Sequence, residues 1–213
     1  MEGHDHPLPT RRQMLRALMV LPTTLALPAY AGLLGGDRTP DALAQTPGLP
    51  PTPVCTDAED ATPRQTEGPY YKQHSPQRTS LIEPGLTGTR LHLTGYVLSR
   101  RCQPLARVLL DFWQADVQGQ YDNLGYRCRG HQFTDDAGRY HLETVVPGLY
   151  PGRTRHIHVT LQAPNRPLLT TQLYFPGEPR NGRDGIFNPA LVMALQDSAD
   201  GKAAQFNFVL DMF

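Results

Sequence analysis

Apolar and polar residues alternate in short runs set off by turn-forming clusters, and no long stretch keeps the period of an amphipathic helix. Leu91 to Leu98 mostly alternates and breaks at the polar turn Ser99 to Pro104. Ala106 to Trp113 is apolar enough to be an inner strand. Residues 116–130 carry Gly119, Asp122, Asn123 and Arg127, which is loop chemistry. Asp135-Asp136-Ala137-Gly138 predicts a turn into a strand from Arg139 to Val146, and Pro147-Gly148 ends that strand. Arg155 to Leu161, Leu169 to Phe175 and Gln205 to Phe213 alternate again. The one helix the pattern predicts is short, over Pro189 to Asp197, with Asn188 as N-cap and Pro189 in the first turn. Many short strands joined by turns imply an all-β chain, a two-sheet β-sandwich with functional loops at one end.

The N-terminal residues follow a different pattern. Arg11 and Arg12 stand directly before the apolar run Ala17 to Leu27, and Ala29-Tyr30-Ala31 puts small residues at the two positions a signal peptidase reads. The run is too short for a permanent membrane span. Residues 1–31 therefore read as a twin-arginine-type signal peptide, and a basic tail beside a chance apolar run is the alternative. The signal implies the twin-arginine export machinery as a partner and a periplasmic, cell-envelope or secreted location in a prokaryote. That route carries folded proteins, and a cofactor loaded in the cytoplasm is a common reason to fold first. Residues 32–54, rich in Pro and Gly, read as a linker, so the domain is expected over residues 55–213.

Composition narrows the function by exclusion. Twenty basic residues balance twenty acidic ones, which leaves no footprint for nucleic acid or an anionic membrane. There is no Gly-rich phosphate loop and no serine nucleophile elbow. In an oxidising compartment Cys55, Cys102 and Cys128 allow one disulfide and one free thiol, with the pairing open. No two of them lie close enough in sequence to suggest a zinc site.

The chemistry concentrates around His156-Ile157-His158. On a strand, residues i and i+2 point to one side, so both imidazoles face together while Ile157, Val159 and Leu161 face the core. A rigid parallel pair of this kind suits a first-row metal, although a bare pair is more often two solvated histidines. Upstream, the stiff turn Pro147-Gly148-Leu149-Tyr150-Pro151-Gly152 holds a tyrosine that could be a third ligand. Another tyrosine, Tyr121, follows the apolar stretch Asp111 to Trp113 through Gly119. Alone, each tyrosine reads as a loop or packing residue.

Four stretches in order make the combination specific: Thr66-Glu67-Gly68-Pro69-Tyr70-Tyr71; Asp111-Phe112-Trp113-Gln114-Ala115 leading to Gly119-Gln120-Tyr121; Pro147-Gly148-Leu149-Tyr150 leading to Arg153 and His156-Ile157-His158; and Thr171-Gln172-Leu173-Tyr174-Phe175. In these the sequence resembles the intradiol ring-cleavage dioxygenases, the family of catechol 1,2-dioxygenases and protocatechuate 3,4-dioxygenases. It looks closest to short, exported members. Thr154-Arg155 stands where the family usually has Pro-Ala before the histidine pair.

The resemblance implies one non-haem Fe(3+) per chain, bound by Tyr121 and Tyr150 as phenolates and by His156 and His158 as neutral imidazoles. Two anionic oxygens favour ferric over ferrous iron, and metal binding deprotonates its ligands. A small aromatic diol and O2 would be the substrates, and a cis,cis-muconate-type diacid the product. Tyr150 would leave the metal and accept a substrate proton. Arg153 would stabilise negative charge on the ring, Gln172 would hydrogen-bond near the oxygen or substrate, and Pro69 and Tyr70 would line the pocket.

Two rivals stand beside this reading. A non-catalytic transthyretin-like sandwich binding a small aromatic or carbohydrate would be expected to have lost one of the four ligands. A zinc hydrolase built on the histidine pair would need a further histidine or carboxylate at ligand spacing. Trp113 is assigned to the core, His131 and His141 to strands as structural residues, and Arg180 to Asp184 to an ordinary surface loop.

Overall fold

The structure, a computed structural model, describes residues 60–213. The expected signal peptide, the linker and Cys55 lie outside the described residues. In chain order the strands are β1 (Arg90–Ser99), β2 (Leu109–Trp113), β3 (Arg129–Phe133), β4 (Arg139–Val145), β5 (His156–Gln162), β6 (Leu169–Tyr174), β7 (Ala194–Ser198), β8 (Gly201–Gln205) and β9 (Phe208–Leu210). They form two sheets. One runs β4-β1-β8-β7 with β9 also on β1, and the other runs β3-β2-β5-β6. The expected all-β sandwich is the observed fold. No helix of the described residues is long and apolar enough to cross a membrane.

Alternation explains the core. Leu91, Leu93 and Val97 of β1 face Leu110 and Phe112 of β2, Ile157, Val159 and Leu161 of β5, and Leu173 of β6, all in one buried cluster. At about 25 cal/mol per Å² of buried apolar surface, each such side chain contributes on the order of 2 kcal/mol. β5 differs from an ordinary sandwich strand because its other face is buried too. Chain leading into β1 covers it: Gln65 donates its backbone N–H to Thr170 O at 2.8 Å, and Thr66 O accepts from Gln172 Nε2 at 2.9 Å.

Three elements differ from the sequence expectation. The predicted helix is one 3-10 turn, Pro189–Leu191, followed by β7. The cap is as expected, since the Asn188 side chain accepts from Ala190 N at 3.0 Å. Leu191 and Met193 are then buried in alternation, Met193 N bonds Tyr174 O, and β7 pairs with β8 as a hairpin, so sheet pairing overrides the helical start. The apolar run from Ala106 begins pairing only at Leu109, because Arg107 takes a left-handed φ of 56°. Of the expected strand Gln205 to Phe213, only Gln205, the last residue of β8, and Phe208–Leu210, which is β9, are strand, and β8 and β9 both run parallel to β1.

Gly95 explains that last break. A Cβ there would lie 1.8 Å from Phe206 O, so the crossing between β8 and β9 needs a residue without a side chain. The kink is held by Tyr140 Oη donating to Phe206 O at 2.8 Å and by Tyr96 N donating to Asn207 Oδ1 at 3.0 Å. Among the cysteines described, Cys102 is disulfide-bonded and Cys128 is a buried free thiol.

Replacing Gly95 by Ala is expected to destabilise the domain by about 1–3 kcal/mol, the usual cost of forcing an atom into a packed contact. A urea midpoint unchanged from wild type would show that the β8–β9 crossing yields at no cost.

Candidate metal centre

The register of one sheet assembles the centre. His158 on β5 pairs with Trp113 of β2 on one side and with Gln172 of β6 on the other, while His156 pairs with Tyr174. Paired residues project from the same face, so these five side chains share it. Ile157, Val159 and Leu161 point the other way into the core, as expected. The histidines are not solvated, being 4% and 3% exposed. Trp113 is buried as predicted, but it also stacks on His158, with ring centroids 4.9 Å apart and planes 6° from parallel.

Tyr121 and Tyr150 come from the loops after β2 and β4. Those loops touch backbone to backbone. A Cβ on Gly148 would fall 2.4 Å from Gly119 N and 2.4 Å from Val117 O. One on Gly119, whose φ is +80°, would fall 2.2 Å from Leu149 O. Gly148 N and Gly119 N both donate to Asp116 O, at 2.7 and 3.0 Å. The two glycines therefore set how closely the tyrosine loops approach.

The donor atoms converge. Nε2 of His156 lies 3.1 Å from Nε2 of His158 and 3.4 Å from the Tyr121 hydroxyl. Tyr150 stands edge-on to Tyr121 at 5.9 Å between ring centroids, and its hydroxyl donates to Tyr70 Oη at 3.2 Å. Tyr70 stacks on Tyr121 at 4.5 Å and 11°. Pro69, beside it, is exposed. Thus the structure gathers Tyr121, His156 and His158 directly, and brings in Tyr150 through its ring and Tyr70.

Arg153 is no free surface residue. Its Nη2 donates to Gln172 Oε1 at 2.6 Å and its Nε to Asp184 Oδ2 at 2.8 Å. Gln172 is fully buried and donates its own Nε2 to Thr66 O at 2.9 Å. Sequence reading missed two contributors. Asp184 was set aside as part of a surface loop, yet its side chain is only 2% exposed. Arg129 is buried at 1% exposure, with Cζ 5.9 Å from the Tyr121 ring centroid and Nη1 donating to Tyr70 O at 2.7 Å. No local motif distinguishes either residue, because their partners lie far away in sequence.

Electrostatics keep the centre uncharged when no cation is present. Burial lowers His156 to about 4, and the Arg153 charge pushes the same way. Burial also holds His158 well below the ordinary histidine range, helped by His156 and Arg153. Burial raises the Tyr121 phenol far above its usual value, with Arg153 and Arg129 pulling it back in part. The hydrogen bond to Tyr70 raises Tyr150. His156 Nδ1 sits 2.6 Å from Thr154 O and so carries the proton, leaving the Nε2 lone pair aimed into the centre.

That donor set fits a metal ion. Ligands bound at about 2.1 Å on one ion stand roughly 3.0–3.4 Å from one another, and the two spacings measured at His156 Nε2 lie in that range. No cluster of three or more His, Cys, Asp or Glu exists among the described residues. The Tyr121 hydroxyl is the donor that lies beside the histidine pair, and a phenolate favours a hard, highly charged ion.

A family model described as "Dioxygenase" (Dioxygenase_C) matches residues 66–212, more than two thirds of the chain. The chain belongs to the intradiol ring-cleavage dioxygenase family. This family member is 58% identical to the dioxygenase domain of a dioxygenase–carbohydrate-binding protein fusion from Streptomyces sp. SirexAA-E, with a TM-score of 0.71 over 72% of this chain and 100% of that one. It is 34% identical to the protocatechuate 3,4-dioxygenase beta chain of Burkholderia cepacia over 47% of this chain and 50% of that protein. It is 26% identical to catechol 1,2-dioxygenase of Acinetobacter baylyi over 71% of this chain and 58% of that protein. The chain thus spans about half the length of the curated relatives it matches.

The lowered histidines make the metal-free dioxygenase fold sensitive to acid. An unfolded histidine takes up its proton near pH 6.5, whereas folded His156 resists until about 4, so the stability linked to it is full above pH 6.5 and drains away as pH falls towards 4. The loss for His156 alone is expected to be on the order of 3 kcal/mol. Urea midpoints of chelator-treated protein between pH 7 and pH 4 measure it. A His156→Gln variant with the same acid sensitivity would assign the effect elsewhere.

Proposed function

We propose that the chain cleaves catechol-type rings between the two hydroxyl-bearing carbons with dioxygen, using one ferric ion held by Tyr121, Tyr150, His156 and His158. The observation that carries this reading is the convergence of the Tyr121 hydroxyl and the two Nε2 atoms on one buried point. Membership of a ring-cleavage family supports it. So do relatives named for action on catechol, hydroxyquinol and protocatechuate.

The protein's part follows from the geometry. His156 and His158 offer neutral lone pairs without giving up a proton, because burial keeps both unprotonated. Tyr121 and Tyr150 give up theirs on binding, which balances the ion's charge. Bound ferric iron would supply a Lewis acid that draws electron density from a catecholate and lets the ring react with dioxygen. Tyr150 would accept a proton from the incoming diol, and Tyr70 Oη at 3.2 Å then takes its hydrogen bond. Tyr70 and Pro69 would border the flat ring, while Arg153 and Gln172 would stabilise negative charge developing on it. The product would be a cis,cis-muconate-type diacid. We also read residues 1–31 as an export signal, so that exogenous aromatic diols are the substrates in question.

Iron-loaded protein should be burgundy to red from tyrosinate-to-iron charge transfer, and the band should shift when catechol is added without oxygen. Tyr121→Phe should lose both the colour and ring cleavage, measured as muconate formation. A colourless protein carrying one zinc ion would overturn the assignment. Separately, replacing Arg11 and Arg12 by lysines should retain the protein in the cytoplasm, and undiminished export on cell fractionation would refute the twin-arginine reading.

A further inference from the structure

We propose that Asp184 is a positioning residue for Arg153, acting on the chemistry only through the direction in which it holds that guanidinium. The inference rests on the ring-cleavage reading and assigns a role to a loop that the sequence presents as ordinary surface.

The carboxylate is fixed before the arginine meets it. Thr154 N donates to Asp184 Oδ2 at 2.9 Å and Ile186 N donates to Oδ1 at 3.1 Å. Two backbone amides, one beside β5 and one in the loop beyond Arg183, therefore lock its orientation. Arg153 Nε meets the same Oδ2 at 2.8 Å. At the other end of the guanidinium, Nη2 meets Gln172 Oε1 at 2.6 Å, and that oxygen also accepts from Tyr174 Oη at 3.2 Å. The guanidinium is thus held at its Nε by Asp184 and at its Nη2 by Gln172, with the Tyr174 hydroxyl as a further hydrogen-bonding neighbour. A group held this way costs little to reorganise when charge develops beside it.

Without Asp184 the fork has somewhere else to go. A cavity of about 310 Å³ opens beside the pair, lined by Gly152, Arg153, Thr154, Arg180, Arg183 and Asp184. Among the described residues Arg180 and Arg183 make no ion pair, and Gly152 leaves open space on its side. An arginine released from its carboxylate would keep its neutral contacts to Gln172 and Tyr174 but lose the counter-charge that holds its Nε edge, beside a solvent-open space. Asp184 is the counter-charge that makes the inward orientation the stable one.

A double-mutant cycle tests this on iron-loaded protein with catechol as the probe. Asp184→Ala is expected to lower kcat/KM about 10²-fold, the scale of a misplaced catalytic group. The loss should fall on kcat, with the anaerobic catechol Kd, read from the charge-transfer band, changing less than threefold. In an Arg153→Ala background the same substitution should cost less than threefold more, because the residue it acts through is already gone. Equal losses in both backgrounds would mean Asp184 acts independently of Arg153, and no loss in the wild-type background would mean that Arg153 needs no anchor. If Asp184→Ala does not fold, Asp184→Asn serves in the same cycle, since it keeps an oxygen for Arg153 Nε while removing the charge. About a tenfold loss, confined to the wild-type background, is then expected. A wild-type protein that cleaves none of catechol, hydroxyquinol and protocatechuate refutes the ring-cleavage reading itself, whereas additive losses in an active protein overturn only the role of Asp184.

Discussion

Desolvation of the His156/His158 pair is the constraint around which this domain is organised. An outward-facing pair on a sandwich strand would ordinarily meet water, take up protons near neutral pH and repel any cation. Here the chain before β1 lies over that face, Trp113 stacks on one ring, and both imidazoles are held neutral by burial. Covering the pair leaves polar atoms in need of a partner. His158 Nδ1 and Trp113 Nε1 have no hydrogen-bond partner among the described residues, and a buried polar group left unpaired costs on the order of 1–3 kcal/mol.

The second layer of the design is how loops are brought to a rigid strand. Tyr121 and Tyr150 follow different strands, yet the contact at Gly119 and Gly148 fixes one loop against the other through backbone alone. Backbone contact is stiffer than side-chain packing, since no rotamer can relax it. Tyr70 then completes an aromatic cluster, stacked on Tyr121 and edge-on to Tyr150 at 5.4 Å. Arg129 ties the carbonyls of Tyr70 and Asp122 to β3, so the segment over the centre and the Tyr121 loop share one buried cation. The charge on Asp184 survives burial because the amides of Thr154 and Ile186, with Arg153, offset the desolvation that would otherwise raise its proton affinity.

Much of this was legible in the residues. Alternation gave β1, β4, β5 and β6 to within a residue or two, because the period-two placement of apolar side chains towards the core is a local property, even where β5 and β6 are covered on their other face as well. It failed where long-range pairing decided the outcome. Pro189 to Asp197 carries genuine helix-start signals, yet an extended segment leading into β7 gains a hairpin partner in β8 and buries Leu191 and Met193, which one more helical turn would not. The end of the chain looked like one strand because Phe206 O meeting Gly95 is a contact across 111 residues.

The four residues proposed as ligands were named from the sequence, the histidines from their spacing and the tyrosines from their place in ordered motifs that resemble the family. Those identities are what the sequence by itself determined, because motif and periodicity are carried by neighbours in the chain. The burial of the pair on both faces, the glycine contact between the tyrosine loops, and the grip of Asp184 and Gln172 on Arg153 were decided only by tertiary structure. The reason is physical: each depends on backbone atoms or charges that meet after folding, and whether an arginine is solvated or pinned is set by the field around it, which no local pattern of residues encodes.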